Sequence, residues 1–315
     1  MKAKQEKIYN CLYNKGFLPA DKESHEIIKN FNSNNLLYEL TPCLIVTWSI
    51  ELNILYRIID GFLCIANFYP DESFSFYIIR PKEKHNLQHI VDILYSISLE
   101  AGLDTLTIWN IEERFLNDYI KLGGYRTETR YDDSFSEYVY SSDSMLNLKG
   151  GENAEKRYQL RKFYNKSNIF LEPITKKNVN LCIDIENKWC FTQNCDLCRS
   201  FVGCSKKSIE VMIDIFDDDI YQGYFGIIDR KPAGYIIFEK YNNELAYIYF
   251  IKTIVSNFSI YLYYYIVENC LKSIKQINNG ADLGKKGLQL FKKRLGSHLL
   301  LKKYECSFTR ETSYE

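Results

Sequence analysis

The spacing of apolar residues changes period along the chain, and each change predicts an element. From Asp21 to Phe31, Ile27, Ile28 and Phe31 fall on one side, the spacing of a short helix. From Leu36 to Arg80 the pattern reads as strands, at Leu44-Ile45-Val46, Leu55 to Ile59, Phe62 to Phe68 and Phe74 to Ile79. Asp60-Gly61 predicts a tight hairpin between two of these, Pro70-Asp71 the next turn, and Pro81 the end of the run. Asn86 to Ala101 then sets Leu87, Ile90, Val91, Leu94 and Ile97 at helical spacing, with Gly102 as the stop. Thr105 to Trp109 reads as a strand, Glu112 to Leu122 as a helix ended by Gly123-Gly124, and Tyr125 to Tyr140 as extended chain.

A turn at Gly150-Gly151 follows, then a helix from Glu152 to about Lys166 with basic residues on its surface. Helices are predicted again at Val179 to Trp189 and Ser205 to Phe216. Tyr221 to Ile228 and Ala233 to Glu239 form a hairpin around Asp229-Arg230-Lys231-Pro232, and Leu245 to Ile251 adds a strand. A tyrosine-rich helix (Ile260 to Lys272), a short strand (Ile274 to Asn278), a helix (Lys286 to Leu295) and a strand (Leu300 to Phe308) complete the chain. Strand meander, helix, strand, helix, strand therefore occurs twice, although the halves share no residue string. Two domains are expected, 1–150 and 151–315, the second with a cysteine-rich loop at 190–204.

Length and composition agree with this division. A chain of 315 residues suits two domains, and 46% hydrophobic with 25% charged residues describes an ordinary globular protein. Tyr 26 and Phe 19 promise large buried contacts. Lys+Arg and Asp+Glu both number 40, so no overall field draws the chain to duplex DNA or an anionic bilayer, and a polyanion must meet a local patch. The start, Met1-Lys2-Ala3-Lys4, leads into no apolar h-region, and the apolar runs fall short of the ~20 residues of a membrane span. With ten cysteines and no export signal, reduced thiols or metal ligands in the cytoplasm are expected.

Three constellations carry candidate chemistry. Cys190, Cys195, Cys198 and Cys204 follow one another as Cys-x4-Cys-x2-Cys-x5-Cys. Four thiolates can close a structural zinc or iron–sulfur site; the alternative is a loop of free thiols. Lys156, Arg157, Arg161 and Lys162 present guanidinium forks four residues apart, fit for phosphate or simply a solvated helix face. Asp282-Leu283-Gly284 and Gly287 stand between a strand and a helix, where a carboxylate holds an ammonium, takes a proton, or caps the helix. His85 and His89 lack a third ligand and read as exposed helix-start residues.

Two of these blocks also carry a resemblance. Glu137-Tyr138-Val139-Tyr140, Asn147-Leu148-Lys149-Gly150, Lys156-Arg157 and Phe163 resemble the signature of proteins related to the C-terminal domain of phosphatidylglycerol lysyltransferase, partly catalogued as a domain of unknown function. Asn278-Asn279-Gly280-Ala281-Asp282-Leu283-Gly284, Gly287-Leu288, Lys292 and Lys303-Tyr304 agree, so the likeness spans roughly residues 36 to 308. It implies an α+β fold of two tandem GNAT-like (acyl-CoA N-acyltransferase-like) domains, each a mixed sheet flanked by helices. It implies an acyltransferase that moves an aminoacyl group from the acceptor end of a charged tRNA to an amine or hydroxyl. Asp282 would be catalytic, with Lys156, Arg157, Arg161 and Lys292 holding substrate or phosphate. The family's further acidic residue before the aspartate is replaced here by Gly280-Ala281.

This chain lacks the membrane-embedded region of those lysyltransferases, so a small-molecule or peptide acceptor is expected rather than a lipid. Coenzyme A is disfavoured: acetyltransferases of this fold cradle its pyrophosphate on a glycine-rich turn, and neither Lys252 to Phe258 nor Lys82 to Asn86 contains glycine. The alternatives are an acetyl-CoA enzyme with an unusual cradle, and a binding protein that keeps the fold without the chemistry.

Overall fold

The structure, a computed structural model, describes residues 3–31, 36–82, 85–165, 168–192, 205–296 and 299–311. In chain order the strands begin with β1 (Leu18–Pro19), β2 (Leu55–Ile59), β3 (Phe62–Phe68), β4 (Phe74–Ile79), β5 (Leu106–Glu112) and β6 (Tyr125–Tyr131). They continue with β7 (Glu137–Tyr140), β8 (Ile169–Pro173), β9 (Tyr221–Ile228), β10 (Lys231–Lys240) and β11 (Leu245–Thr253). The last three are β12 (Gln276–Asn278), β13 (Leu299–Leu301) and β14 (Lys303–Arg310). Two seven-stranded sheets result, ordered β1-β2-β3-β4-β5-β14-β6 and β13-β7-β12-β11-β10-β9-β8.

The described residues form two units. One takes the chain up to Phe135, Ser205–Ser208 and the segment from Leu301; the other takes Ser136 to Thr192 and Ile209 to Leu300. In the first, β2 and β3 pair as the hairpin that Asp60-Gly61 predicts, Ile59 facing Phe62. Asp60 and Gly61 both hold positive φ, 46° and 80°, as a two-residue turn requires. Every residue of β3 is buried. Phe62, Cys64, Ala66 and Phe68 share a core with Ile8 and Leu12 of the helix Ala3–Asn14 and with Ile90, Val91, Leu94 and Ile97 of the helix Leu87–Glu100. That second helix starts where expected: the Asn86 side chain accepts the His89 N–H.

In the second unit, the helix Phe258–Asn269 supplies Phe258, Leu262, Ile266 and Val267 to a core shared with Ile236 and Phe238 of β10 and Ala246 and Ile248 of β11. Each sheet is mixed. The β4–β5 and β11–β12 pairs are parallel within otherwise antiparallel ladders. With helices against these sheets, the fold is the α+β, tandem GNAT-like class expected. Among the described residues no helix is long and apolar enough to cross a membrane.

Three readings differ in detail. Leu44-Ile45-Val46 belongs to a helix, Pro42–Thr47, with proline in its first turn. Residues 43 to 47 are all buried there, so the run has no alternation to betray its period. Tyr125 to Tyr140 is two strands in different sheets, separated by a turn at Asp133–Phe135. Leu300 to Phe308, read as the last strand of the second half, contains β13 in the second sheet and β14 in the first. β14 runs antiparallel to β5 and β6 at once, Tyr304 facing Ile111 on one side and Tyr131 on the other.

β14 also buries Cys306 and Phe308 completely in the first unit's core. A chain ending at Lys302 therefore loses an interior strand, not an edge. Urea unfolding followed by circular dichroism should show the first unit's cooperative transition abolished, with limited proteolysis cutting within residues 1–135.

Candidate functional site

β7 is buried at all four positions and runs antiparallel to β12, Tyr140 facing Ile277 and Val139 facing Asn278. Just past β12 the backbone turns sharply, with positive φ at Gly280 (64°), Leu283 (53°) and Gly284 (70°). The turn is stitched to β7: Asn279 N–H donates to the Tyr138 carbonyl and Tyr138 N–H to the Gly280 carbonyl, both at 3.0 Å. Asn278 reinforces it, giving its amide to Glu137 Oε2 (2.7 Å) and accepting Gly280 N–H (2.9 Å).

Asp282 and Lys292 come together on this turn. Asp282 is 1% exposed; its Oδ2 accepts the Tyr138 phenol at 2.7 Å and its Oδ1 the Gly284 N–H at 2.8 Å. Lys292, on the helix Lys286–Leu295, is buried, and its Nζ donates to the carbonyls of Asn279, Gly280 (2.9 Å) and Ala281 (2.7 Å). Three acceptors match the three protons of an ammonium, the hydrogen bonding that burial of a lysine requires. The Tyr138 ring lies 5.6 Å from that ammonium, and the Tyr140 phenol donates to the Lys292 carbonyl at 3.1 Å. Asp282 and Lys292 thus both meet Tyr138, one at its hydroxyl and the other over its ring.

Beside this turn the sheet opens. β11 pairs with β12 only over Leu245–Gln276, Ala246–Ile277 and Tyr247–Asn278, yet β11 runs on to Thr253. No further residue pair joins β11 to β12 past Tyr247–Asn278 among the described residues. A strand that outruns its neighbour is a place where a carbonyl or an extended chain can be received.

The basic helix spans Ala154–Tyr164, and its four cations have different lots. Arg157 is half-buried and gives one nitrogen to the carbonyls of Leu148 and Gly150, tying down the loop before the helix. Lys156 is half-buried too; desolvation lowers its pKa, with Glu152 opposing. A side chain added at Gly296, which ends the Lys286–Leu295 helix at φ 92°, would stand 3.4 Å from the Lys156 ammonium. There Lys156 meets the negative end of the helix dipole. Arg161 and Lys162 are exposed, Lys162 over the Tyr158 ring at 4.3 Å. Among the described residues no contact joins Arg157 or Arg161 to Asp282.

A second polar centre escaped the sequence. Glu186, on the helix Leu181–Thr192, is fully buried and accepts the Tyr235 phenol at 2.5 Å. Lys252, facing Tyr235 across the ladder, sets its ammonium 3.9 Å from Glu186 and 3.7 Å from the centre of the Trp189 ring. Burial and the Glu186 charge push the Tyr235 phenol well up. The only signal was an acidic residue on the apolar side of its helix. Of the cysteine cluster, Cys190 is half-buried, and Cys195, Cys198 and Cys204 lie outside the described residues. No group of three or more histidine, cysteine or carboxylate side chains is placed to hold a metal among the described residues.

No family model matches this chain, and no curated protein matches it in sequence. Solved structures do. A conserved protein of unknown function from Bacteroides thetaiotaomicron superposes with a TM-score of 0.82 at 18% identity, over 93% of this chain and 99% of that one. The C-terminal domain (DUF2156) of a putative lysylphosphatidylglycerol synthetase from Agrobacterium fabrum gives 0.65 at 13% identity, over 90% and 91%. L-PGS from Bacillus licheniformis gives 0.64 at 11% identity, over 94% and 94%. The chain therefore has the tandem GNAT-like fold of the lysylphosphatidylglycerol synthetase C-terminal domain, as its two sequence blocks implied. At such identities the likeness establishes the fold alone.

The turn's construction has a measurable consequence. Lys292→Met would take the ammonium from three carbonyls, leaving among the described residues only that of Gly280 with another donor, the Tyr138 N–H, and the loss of stability should reach about 3–5 kcal/mol, as when one side of a buried charged network is removed. Asp282→Asn keeps an oxygen for the Gly284 N–H and turns an amide NH2 toward the Tyr138 phenol, whose oxygen can accept it, so it should cost only about 1–2 kcal/mol. Chemical denaturation of the two variants against the parent checks the order.

Proposed function

We propose that the second unit is an acyltransferase whose donor is an aminoacyl group on the acceptor end of tRNA, and whose acceptor is the amine or hydroxyl of a small molecule or peptide. The observation that carries this reading is the splay of the sheet, where β12 ends at Asn278 opposite Tyr247 while β11 runs on to Thr253 beside the braced 279–284 turn. An ester carbonyl received there is held for attack by hydrogen bonds and position. The acceptor nitrogen or oxygen bonds to the carbonyl carbon, the bond to the tRNA ribose oxygen breaks, and the acceptor's proton passes to that oxygen.

The basic helix takes the phosphates. Arg161 and Lys162 reach solvent directly, while Lys156 and the unused nitrogens of Arg157 complete the face. Asp282 acts through Tyr138, setting the phenol and the turn, and Lys292 holds that turn still. Coenzyme A has no comparable seat: Ile254 and Val255 occupy the segment where a glycine turn would take its pyrophosphate.

Equilibrium binding of an aminoacyl-adenylyl nucleotide analogue, with coenzyme A alongside, tests this. The analogue should bind and coenzyme A should not. Arg161→Ala should weaken the analogue roughly ten- to a hundredfold, since a charge-assisted phosphate contact contributes ~1.5–3 kcal/mol. One observation favours a binding protein without chemistry: both Asp282 oxygens are already taken in a buried setting. Intact donor binding with no turnover toward any amine would decide for it.

For Cys190, Cys195, Cys198 and Cys204 we propose a structural zinc or iron–sulfur site. Protein purified anaerobically under reducing conditions should carry about one metal site per chain, lost in the Cys195→Ser, Cys198→Ser double variant, by elemental analysis.

A further inference from the structure

The acyl-transfer reading leaves the Glu186 centre of the second unit unused. Glu186 and Trp189 stand three residues apart on the helix Leu181–Thr192, so they share a face, and that face meets Tyr235 of β10 and Lys252 of β11. The two strand residues are partners across the ladder, aimed at one carboxylate. The Tyr235 phenol closes on Oε1 at 2.5 Å, and burial with the Glu186 charge raises its pKa, so it remains the donor. The Lys252 ammonium stops 3.9 Å from Oε2, outside hydrogen-bond distance.

The Trp189 ring holds it there, its centre 3.7 Å from Nζ. Other buried lysines are closed: Lys292 gives its protons to three carbonyls, and Lys303 reaches Glu39 at 2.7 Å. Lys252 is placed by a ring and a charge, and among the described residues its Nζ makes no hydrogen bond. It is also within reach of solvent. β11 is buried from Leu245 to Phe250 and half-buried from Ile251 to Thr253, and the Lys252 side chain is 18% exposed while that of Glu186 is not exposed at all. A ligand therefore meets the ammonium and not the carboxylate behind it. Lys252 stands, moreover, on the part of β11 that outruns β12. A lone ammonium has no fork to match a phosphate, and the fixed Glu186 charge opposes a second negative charge on a ligand. A carboxylate suits the place better than a phosphate dianion.

We propose that Lys252 is a specificity-determining residue of the second unit, whose ammonium receives the carboxylate of the acceptor, an amino acid or a peptide with a free C-terminus. Trp189 and Glu186 are its positioning residues. Only the ligand's part as acceptor rests on the acyl-transfer reading; the carboxylate site itself does not.

Fluorine NMR of the full chain labelled with 5-fluorotryptophan tests it, because Trp 3 gives three signals and Trp189→Phe identifies the one beside Lys252. Acetate, or N-acetylglycine standing for a peptide end, should shift that signal saturably at millimolar concentration, the tighter of the two showing which source of carboxylate is preferred. N-acetylglycinamide, without the charge, and inorganic phosphate should each bind about tenfold more weakly or worse. The double variant Lys252→Met, Glu186→Gln leaves no unpaired buried charge and keeps an oxygen for the Tyr235 phenol, so it should melt like the parent and lose the response. Lys252→Arg, which keeps the charge, should retain it, and Glu186→Gln alone should narrow the preference for N-acetylglycine over phosphate. No saturable shift with either acid, an equal shift with N-acetylglycinamide, a response kept by the double variant, or an unchanged preference in Glu186→Gln would overturn the proposal. If the acids bind while the aminoacyl-adenylyl analogue does not, the carboxylate site stands and the acyl-transfer reading alone falls.

Discussion

The second unit depends on one buried ammonium. Lys292 gathers three consecutive main-chain carbonyls, Asn279 to Ala281, at the point where β12 stops being a strand. Carbonyls leaving a sheet inside a protein cost free energy unless something donates to them. A single cation on a neighbouring helix reaches all three, and the Tyr138 N–H joins it at Gly280. That lets β12 end after three residues and turn away while β11 continues, which is what opens the sheet. Asp282, Tyr138 and Asn278 then fix the exact course of the turn, each with its polar atoms accounted for.

This constraint also sorts the charged residues of the signature blocks. Lys292 and Arg157 do similar work, each holding carbonyls of a connecting loop. A cation committed to backbone is a brace, and mutating it moves the structure before it moves any ligand. Arg161 and Lys162, on the same helix as Arg157, are exposed instead. One basic motif thus holds a brace and a solvated face, four residues apart.

The sequence by itself determined the local structure and its repetition. Asp60-Gly61, Asn86 and the spacing of Leu87 to Ile97 specify a hairpin, a cap and a helix through contacts a few residues long, and these stand as read. The two signature blocks likewise carried the fold. Only the tertiary structure decided which strand joins which sheet, because β14 finds partners some two hundred residues away and β6 and β7 are parted by one short turn. It also decided what each charge is for. Glu186 and Lys252 are distant in sequence and meet only because β10, β11 and a covering helix set them on one face, and no periodicity records that a carboxylate will find its phenol there. Burial and partnership are properties of the packed chain, and they turn the same residue type into a brace or a solvated charge.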